Sequence, residues 1–78
     1  MPTVLRVGPY RFFFYSNENQ EPAHIHIQRE RMLAKFWLNP VALARSHRFS
    51  TQELRTLESL VIDNRPLFLE VWNEYFSG

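Results

Sequence analysis

The chain has 78 residues, with nine Lys and Arg against eight Asp and Glu, and it has no cysteine. This length fits one domain, so we expect residues 1–78 to form a single domain. The lack of cysteine excludes disulfides and thiolate metal sites. No apolar run approaches the roughly 20 residues of a membrane span, and the first residues lack the pattern of a signal peptide. We therefore expect a cytoplasmic protein that makes no membrane contact.

Aromatic residues and charge are both distributed in ways that indicate a partner. Seven Phe, three Tyr and two Trp are a heavy load for so small a core, because each ring can bury about 150–250 Å². Some rings should therefore lie at an interface with a second copy of the chain or with a cognate small protein.

Charge is divided between the two halves of the chain. Residues 1–48 hold seven Lys and Arg against three Glu, a net charge of +4, whereas residues 49–78 hold two Arg against five acids, a net charge of −3. The basic half could attract an anionic partner such as RNA. Alternatively, the two halves could face each other within the fold or across a dimer.

The first half of the chain carries strand signals. Alternating or continuous apolar runs predict strands over residues 4–7, 10–15, 23–28 and 32–38. They are separated by Gly8-Pro9, a polar loop over residues 16–22 and a charged turn over residues 29–31, and Asn39-Pro40 ends the last strand. Because the run at 10–15 is apolar on both faces, it should be central or covered by a second layer.

The second half changes to a helical period. Residues 41–45 are interpreted as a short helical turn, and Ser50 with Glu53 has the spacing of a capping box, which predicts a helix start. Asn64 and Pro66 suit the N-cap and first turn of a second helix. The predicted fold is α+β: an antiparallel meander of three to four strands over residues 3–38, followed by two helices over residues 51–63 and 65–76 packed on one face.

Two histidines, His24 and His26, are the most site-like feature of the sequence. Residues two apart on a strand project from one face, so both imidazoles should point the same way. A His-x-His pair on a strand is a recurrent geometry for binding a divalent metal. The candidates for the third ligand are His47, Glu18, Glu21 or a residue on the neighbouring strand. The alternative is a strand face on which histidine is merely tolerated.

The same pair, His24 and His26, is the catalytic candidate of two further hypotheses. The run His-Ile-His-Ile-Gln resembles the histidine-triad nucleotide-binding superfamily, which implies His26 as a nucleophile that attacks a phosphate. General acid–base cleavage of RNA needs no cofactor; Arg or Lys side chains would hold phosphate, and aromatic rings would stack on bases. Trp37 could instead be an interface anchor or a core residue. The candidate binding residues are Arg11, Tyr15, Arg29, Lys35 and Trp37, with Arg31 as a further phosphate ligand.

Four blocks in chain order carry a resemblance that covers nearly the whole chain. They are P-T-V-L-R-V-G-x-Y-R-F-F-F-Y-S-N-E (residues 2–18), E-P-A-H-I-H-I (21–27), A-K-F-W-L-N-P (34–40) and F-S-T-Q-E-L (49–54). In combination they resemble a small, uncharacterised bacterial family, the domain of unknown function number 4160. Its pattern includes histidines matching His24 and His26. An acidic residue is common there at the position of Asn39, so this chain lacks a carboxylate that could serve as ligand or base. Gln28 is not part of the pattern, which weakens the histidine-triad resemblance.

The family resemblance implies a role in a two-gene unit, because its members often lie beside a gene for another small protein and have prompted toxin–antitoxin proposals. We therefore expect a small cytoplasmic component of a toxin–antitoxin-like module that acts through protein or RNA binding. The rival hypotheses are a histidine-dependent nuclease or phosphotransfer enzyme and a metal-binding domain. The sequence leaves open whether the chain is an enzyme, and whether it is the toxin or the antitoxin.

Overall fold

A computed structural model describes residues 3–15 and 20–76 and shows one antiparallel sheet with one long helix against it. The α+β class and the antiparallel meander are as predicted. The strand and helix counts differ from the prediction in two places. The elements are β1 (Thr3–Val7), β2 (Tyr10–Phe13), β3 (His24–Arg29), β4 (Met32–Leu38), β5 (Val41–His47) and α1 (Thr51–Phe76).

The five strands follow one another across the sheet in chain order, each antiparallel to the last. Connections of two residues join β1 to β2, β3 to β4 and β4 to β5. Gly8 has φ 54° in the first of these turns, and Glu30 has the same value in the second. This is the left-handed region, which glycine enters at no steric cost. Such short turns leave little freedom in strand pairing, so they fix which residues lie opposite one another.

Residues 41–45 form part of the fifth strand, so the prediction of a helical turn there was wrong. The register explains the error: Lys35 lies opposite Arg45 while Phe36 lies opposite Leu43, which leaves Ala44 as the extra residue of a β-bulge. A bulge breaks the alternation of faces, and the strand signal in the sequence is lost with it. Pairing along β4 then outweighs the weak local preference of an alanine-containing run.

A single helix of 26 residues replaces the two predicted helices. Its start is as predicted, since the Glu53 backbone N–H donates to Ser50 Oγ at 3.1 Å and the Leu54 N–H donates to the Ser50 carbonyl at 2.9 Å. The predicted break near Asn64 and Pro66 does not occur. Asn64 is not an N-cap: its side-chain amide donates to the Leu60 carbonyl at 2.9 Å, one helical turn back.

The helix continues through Pro66 because contacts on both sides of that residue hold it to the sheet. Pro66 is exposed, and the carbonyl that its missing N–H would have bonded belongs to Ile62, a residue 54% exposed, so water can replace the lost hydrogen bond. Arg65 donates from Nε to the Leu38 carbonyl at 2.6 Å and from Nη2 to Asn39 Oδ1 at 2.9 Å. These bonds tie the middle of the helix to the β4–β5 turn.

The hydrophobic core lies between α1 and one face of the sheet. Phe12 of β2 stacks on Phe68 of α1, with ring centroids 5.3 Å apart. The buried core residues are Phe12, Phe14, Ile25, Ile27, Ala34, Phe36, Leu38, Phe49, Leu57, Val61, Phe68 and Trp72. The helix among the described residues is not long and apolar enough to cross a membrane. Because the core uses one face of the sheet, the other face is a separate surface.

Candidate functional site

The side chains that face away from α1 form what we call the open face. Residues directly opposite in neighbouring antiparallel strands share a face, so the strand register gives three rows across the sheet. Two rows begin on β1 and the third begins on β3. The rows are Arg6, Arg11, Gln28, Leu33 and His47; Thr3, Phe13, His26, Lys35 and Arg45; and His24, Trp37 and Ala42.

The open face is basic. The five strands together contain five Lys and Arg and no Asp or Glu, whereas α1 contains two Arg against five Asp and Glu, a net charge of −3. Four of the five strand cations, Arg6, Arg11, Lys35 and Arg45, lie in the rows of the open face. The division of charge along the sequence thus becomes a division between the two layers of the fold.

His24 is fully buried at the end of the sheet. Its Nδ1 lies 2.9 Å from the Pro22 carbonyl oxygen; since a carbonyl oxygen can only accept, Nδ1 carries the proton. The ring also packs against Trp72 of α1, with centroids 4.8 Å apart, and against Trp37 of β4 at 5.7 Å. His24 therefore connects the open face with the helix.

His26 lies beside His24, with ring centroids 5.1 Å apart, and is only 8% exposed. It stacks on Phe13 at 5.4 Å and meets the ring of Tyr15 edge-on at 4.7 Å. The two predicted site histidines are therefore adjacent. They differ in surroundings, because His26 opens onto a cleft whereas His24 is enclosed by tryptophans.

A cleft of about 340 Å³ lies on the open face beside β5, and we call it the β5 cleft. Its buried polar residues are His26 and Lys35, and its exposed polar residues on β5 are Arg45, Ser46 and His47. Its lining residues are Tyr15, His26, Leu33, Ala34, Lys35, Arg45, Ser46 and His47. No carboxylate is among these described residues, so the cleft suits an anion.

Lys35 contributes less free charge to the cleft than its position suggests. Its ammonium forms an ion pair with the Glu21 carboxylate and lies 4.6 Å from the centre of the Trp37 ring. The same Glu21 oxygen is 3.8 Å from His24 Nδ1. Arg45 is exposed, and no hydrogen bond or ion pair joins it to another described residue. Arg45 is thus the available cation of the cleft.

Arg11 lies on the open face, as a predicted binding residue, but is held by its neighbours. It donates from Nε to Thr3 Oγ1 and from Nη1 to Gln28 Oε1, both at 2.9 Å. Its guanidinium carbon lies 4.3 Å from the centre of the Phe13 ring. These contacts cover Phe13, which is buried although it lies outside the core between sheet and helix.

Arg29 is the one predicted binding residue that turns to the helix side. It donates to both oxygens of Glu53, from Nε at 2.7 Å and from Nη2 at 3.0 Å, and the Tyr10 hydroxyl donates to the same carboxylate at 2.9 Å. The Arg29 hydrogen bond, followed by that of Tyr10, lowers the pKa of Glu53 below its usual value. This cluster joins β2, β3 and α1 and is separate from the open face.

The third ligand that a metal at His24 and His26 would need is not assembled in residues 3–15 and 20–76. No group of three His, Cys, Asp or Glu that could hold a metal ion occurs within those ranges. Of the predicted third ligands, Glu21 is engaged with Lys35 and His47 lies on β5, two strands from β3. Glu18 lies outside the described residues, as does most of the predicted loop at 16–22.

Sequence reasoning missed Arg45 and Leu33 as cleft residues and considered His47 only as a metal ligand. The cause is the bulge at Ala44, which concealed β5 and with it the two basic side chains that β5 presents. The heptapeptide V-A-L-A-R-S-H directly after the Asn39-Pro40 turn is the signal that could have revealed a hairpin partner for β4.

The fold and the open face define a class: a two-layer α+β domain whose antiparallel sheet is covered by a helix on one face and is basic on the other. Within that class the chain belongs to the family described as Domain of unknown function (DUF4160), whose model matches residues 10–73. The resemblance noted in the sequence is thereby confirmed, over a span that runs from β2 nearly to the end of α1. No curated protein and no solved structure matches the chain.

Proposed function

We propose that this chain is a cytoplasmic component of a toxin–antitoxin-like two-gene module, and that it binds single-stranded RNA with its open face. The module assignment rests on the family resemblance. The choice of RNA rests on the open face itself, whose cations lie near two accessible aromatic rings, the exposed Tyr15 and the half-buried Trp37. Phosphates attract the first and bases stack on the second.

The observation that carries the proposal is the charge of the open face: its rows contain four Lys and Arg side chains and no carboxylate. Tyr15, which is 40% exposed, and the half-buried Trp37 stand among these cations. Both rings are fixed by neighbours, since Tyr15 meets Phe13 edge-on at 5.3 Å and Trp37 carries the Lys35 ammonium. Rings held in this way lose little freedom when a base stacks on them.

Reversing charge on the open face tests this proposal. We expect the double variant Arg6→Glu with Arg45→Glu to bind a fluorescently labelled single-stranded RNA at least tenfold more weakly in an anisotropy titration. The salt dependence should also become shallower, by about 0.7 in slope for each phosphate that the variant no longer neutralises. The matched control is Arg48→Glu with Arg55→Glu, which makes the same change of net charge at exposed positions outside the three rows of the open face.

Equal losses in both double variants would contradict a specific role for the open face, and no RNA binding by the parent would remove the proposal. Co-expression with the product of the neighbouring gene tests the module. The two proteins should co-purify, and one should relieve a growth defect caused by the other. If that partner binds the open face and RNA does not, the face is a protein interface instead.

A second candidate function, histidine-dependent cleavage of RNA or a nucleotide, is favoured by one observation: His26 opens onto the β5 cleft beside Arg45 and His47. His26→Ala should abolish any cleavage of an RNA oligomer by the purified parent. Arg55→Ala, on the opposite layer, should leave it unchanged. A parent without cleavage, or a fully active His26→Ala protein, would eliminate this candidate.

A further inference from the structure

We infer that the β5 cleft is the site for one nucleotide unit of the bound strand, with its phosphate on Arg45 and its base against Tyr15. This assignment rests on the proposed RNA binding and names the part of the RNA that enters the fold. It goes beyond the predicted site residues, because Arg45, His47 and Leu33 were not among the binding residues expected from the sequence.

The phosphate position follows from the cations of the cleft. Arg45 is exposed and makes no hydrogen bond or ion pair with another described residue, and His47 lies two residues further along β5. A guanidinium binds phosphate through paired N–H donors. No carboxylate is among the described residues that line the cleft, and the nearby Glu21 carboxylate is paired with Lys35.

The floor of the cleft offers a phosphate little positive charge, so Arg45 on the rim is the main phosphate ligand. Lys35 is 7% exposed and its charge is directed to Glu21, so the ammonium is already neutralised by a carboxylate. His26 lies beside it, 8% exposed and stacked on Phe13. The positive charge that would favour a nucleotide over an uncharged nucleoside must therefore come from the rim, where Arg45 lies.

The base position follows from the two exposed apolar side chains of the rim. Tyr15 and Leu33 are each 40% exposed and both line the cleft. Tyr15 is supported by the rings of His26 and Phe13, which leaves it positioned as a stacking platform. The cleft volume of about 340 Å³ lies at the lower end of the range for small-ligand pockets, about 300–1,000 Å³, as suits a single nucleotide.

The test is a titration of the ¹⁵N-labelled protein with uridine 5′-monophosphate, followed by amide chemical shifts. We expect uridine 5′-monophosphate to bind more tightly than uridine or inorganic phosphate and to shift the amides of His26 and of residues 45–47. Arg45→Gln should weaken nucleotide binding about tenfold, the loss expected for a charge-assisted hydrogen bond. Arg55→Gln, at an exposed position of α1 outside the cleft, should not weaken it.

Two variants of Tyr15 test the base position. Tyr15→Leu should reduce binding of uridine 5′-monophosphate to that of inorganic phosphate, whereas Tyr15→Phe, which keeps the ring and the packing on His26, should bind like the parent. Native amide spectra establish that each variant is folded. Equal binding by Tyr15→Leu and the parent would overturn the base assignment.

The outcomes separate this inference from the proposed function. If the single-stranded RNA binds through the open face but uridine 5′-monophosphate does not bind, or binds equally to Arg45→Gln, the cleft assignment is wrong and the RNA proposal stands. If neither the oligomer nor the nucleotide binds, both fail.

Discussion

Glu53 is a half-buried residue whose carboxylate accepts three hydrogen bonds from the sheet. It lies in the first turn of α1, where a carboxylate also favours the positive end of the helix dipole. In the capping box predicted from the sequence, its carboxylate would bond back to the Ser50 backbone. It instead accepts hydrogen bonds from Arg29 and Tyr10. One side chain thus fastens the start of the helix to two strands.

Replacing Glu53 by Gln should therefore destabilise the protein in a pH-dependent way. The pKa of Glu53 is lowered in the fold by the Arg29 and then the Tyr10 hydrogen bonds, so its stabilising effect is complete above its ordinary value of 4.5. The effect is lost as pH falls through the lowered folded value. Urea unfolding should show the parent more stable than Glu53→Gln at pH 7, with the difference shrinking below about pH 4.5.

Tyr10 makes protein stability depend on pH in the alkaline range. Burial, followed by the hydrogen bond to Glu53, raises the pKa of Tyr10 above its ordinary value of 10.0. The contribution of the neutral hydroxyl to stability is thus present below pH 10 and declines as pH rises through the raised value.

Tyr10→Phe is the control for the acid dependence assigned to Glu53, because it removes the hydroxyl and keeps the ring near Phe49. A complete loss of acid dependence in this variant would contradict that assignment.

For His24 and His26, the sequence predicts the face on which the side chains lie but not how deeply each is buried. Their common face follows from the period of a strand, and the rings do lie 5.1 Å apart. Their unequal burial could not be predicted. It depends on Trp72, which meets His24 only after the helix has packed.

At the scale of the element, α1 is held by its packing more than by its local sequence. Asn64 and Pro66 have the local chemistry of a helix start, and that chemistry predicted two helices. The four fully or nearly buried helix residues, Leu57, Val61, Phe68 and Trp72, lie on one stripe that passes Pro66. Breaking the helix there would misalign that stripe, which is why tertiary packing prevails over the local signal.

Pro66→Ala should consequently stabilise the protein. An interior proline destabilises a helix by about 3 kcal/mol relative to alanine. The same proline stabilises the folded state by about 0.4–1 kcal/mol, because it restricts the unfolded chain. The free energy of unfolding should rise by about 2 kcal/mol in urea titrations. Glu70→Ala, another exposed position of α1, is the control and should change little. A loss of stability in Pro66→Ala would contradict a continuous helix.

The part of the candidate site that could not be predicted is the part that lies on the irregular strand β5. Regular alternation within β2, β3 and β4 groups Arg11 with Phe13, His24 with His26, and Lys35 with Trp37, and the strand register shows that these three groups share one face. The sequence could not place Arg45, since the bulge at Ala44 puts Leu43 and Arg45 on opposite faces. Periodicity detects regular strands, and the cleft lies beside an irregular one.

On the scale of the whole molecule, the basic first half of the chain uses its charge in two ways. The sequence presented these as alternatives: pairing with the acidic half, or a basic surface that could attract an anion. Arg29 and Glu53 join the basic half to the acidic half within the fold. Arg6, Arg11, Lys35 and Arg45 remain on the far side of the sheet, away from the acidic helix. Only the three-dimensional arrangement separates cations that close the fold from cations that can attract a partner.

The meander also restricts where this domain can vary in length. Three of its four hairpin connections have two residues, and one residue inserted near any of them would turn the following side chains to the opposite face. The β2–β3 connection spans residues 14–23, and longer loops absorb insertions at small entropic cost. Evolutionary change in chain length should therefore concentrate there. That connection contains Tyr15 and Glu21, so a longer loop would change the edge of the β5 cleft while the sheet stays intact.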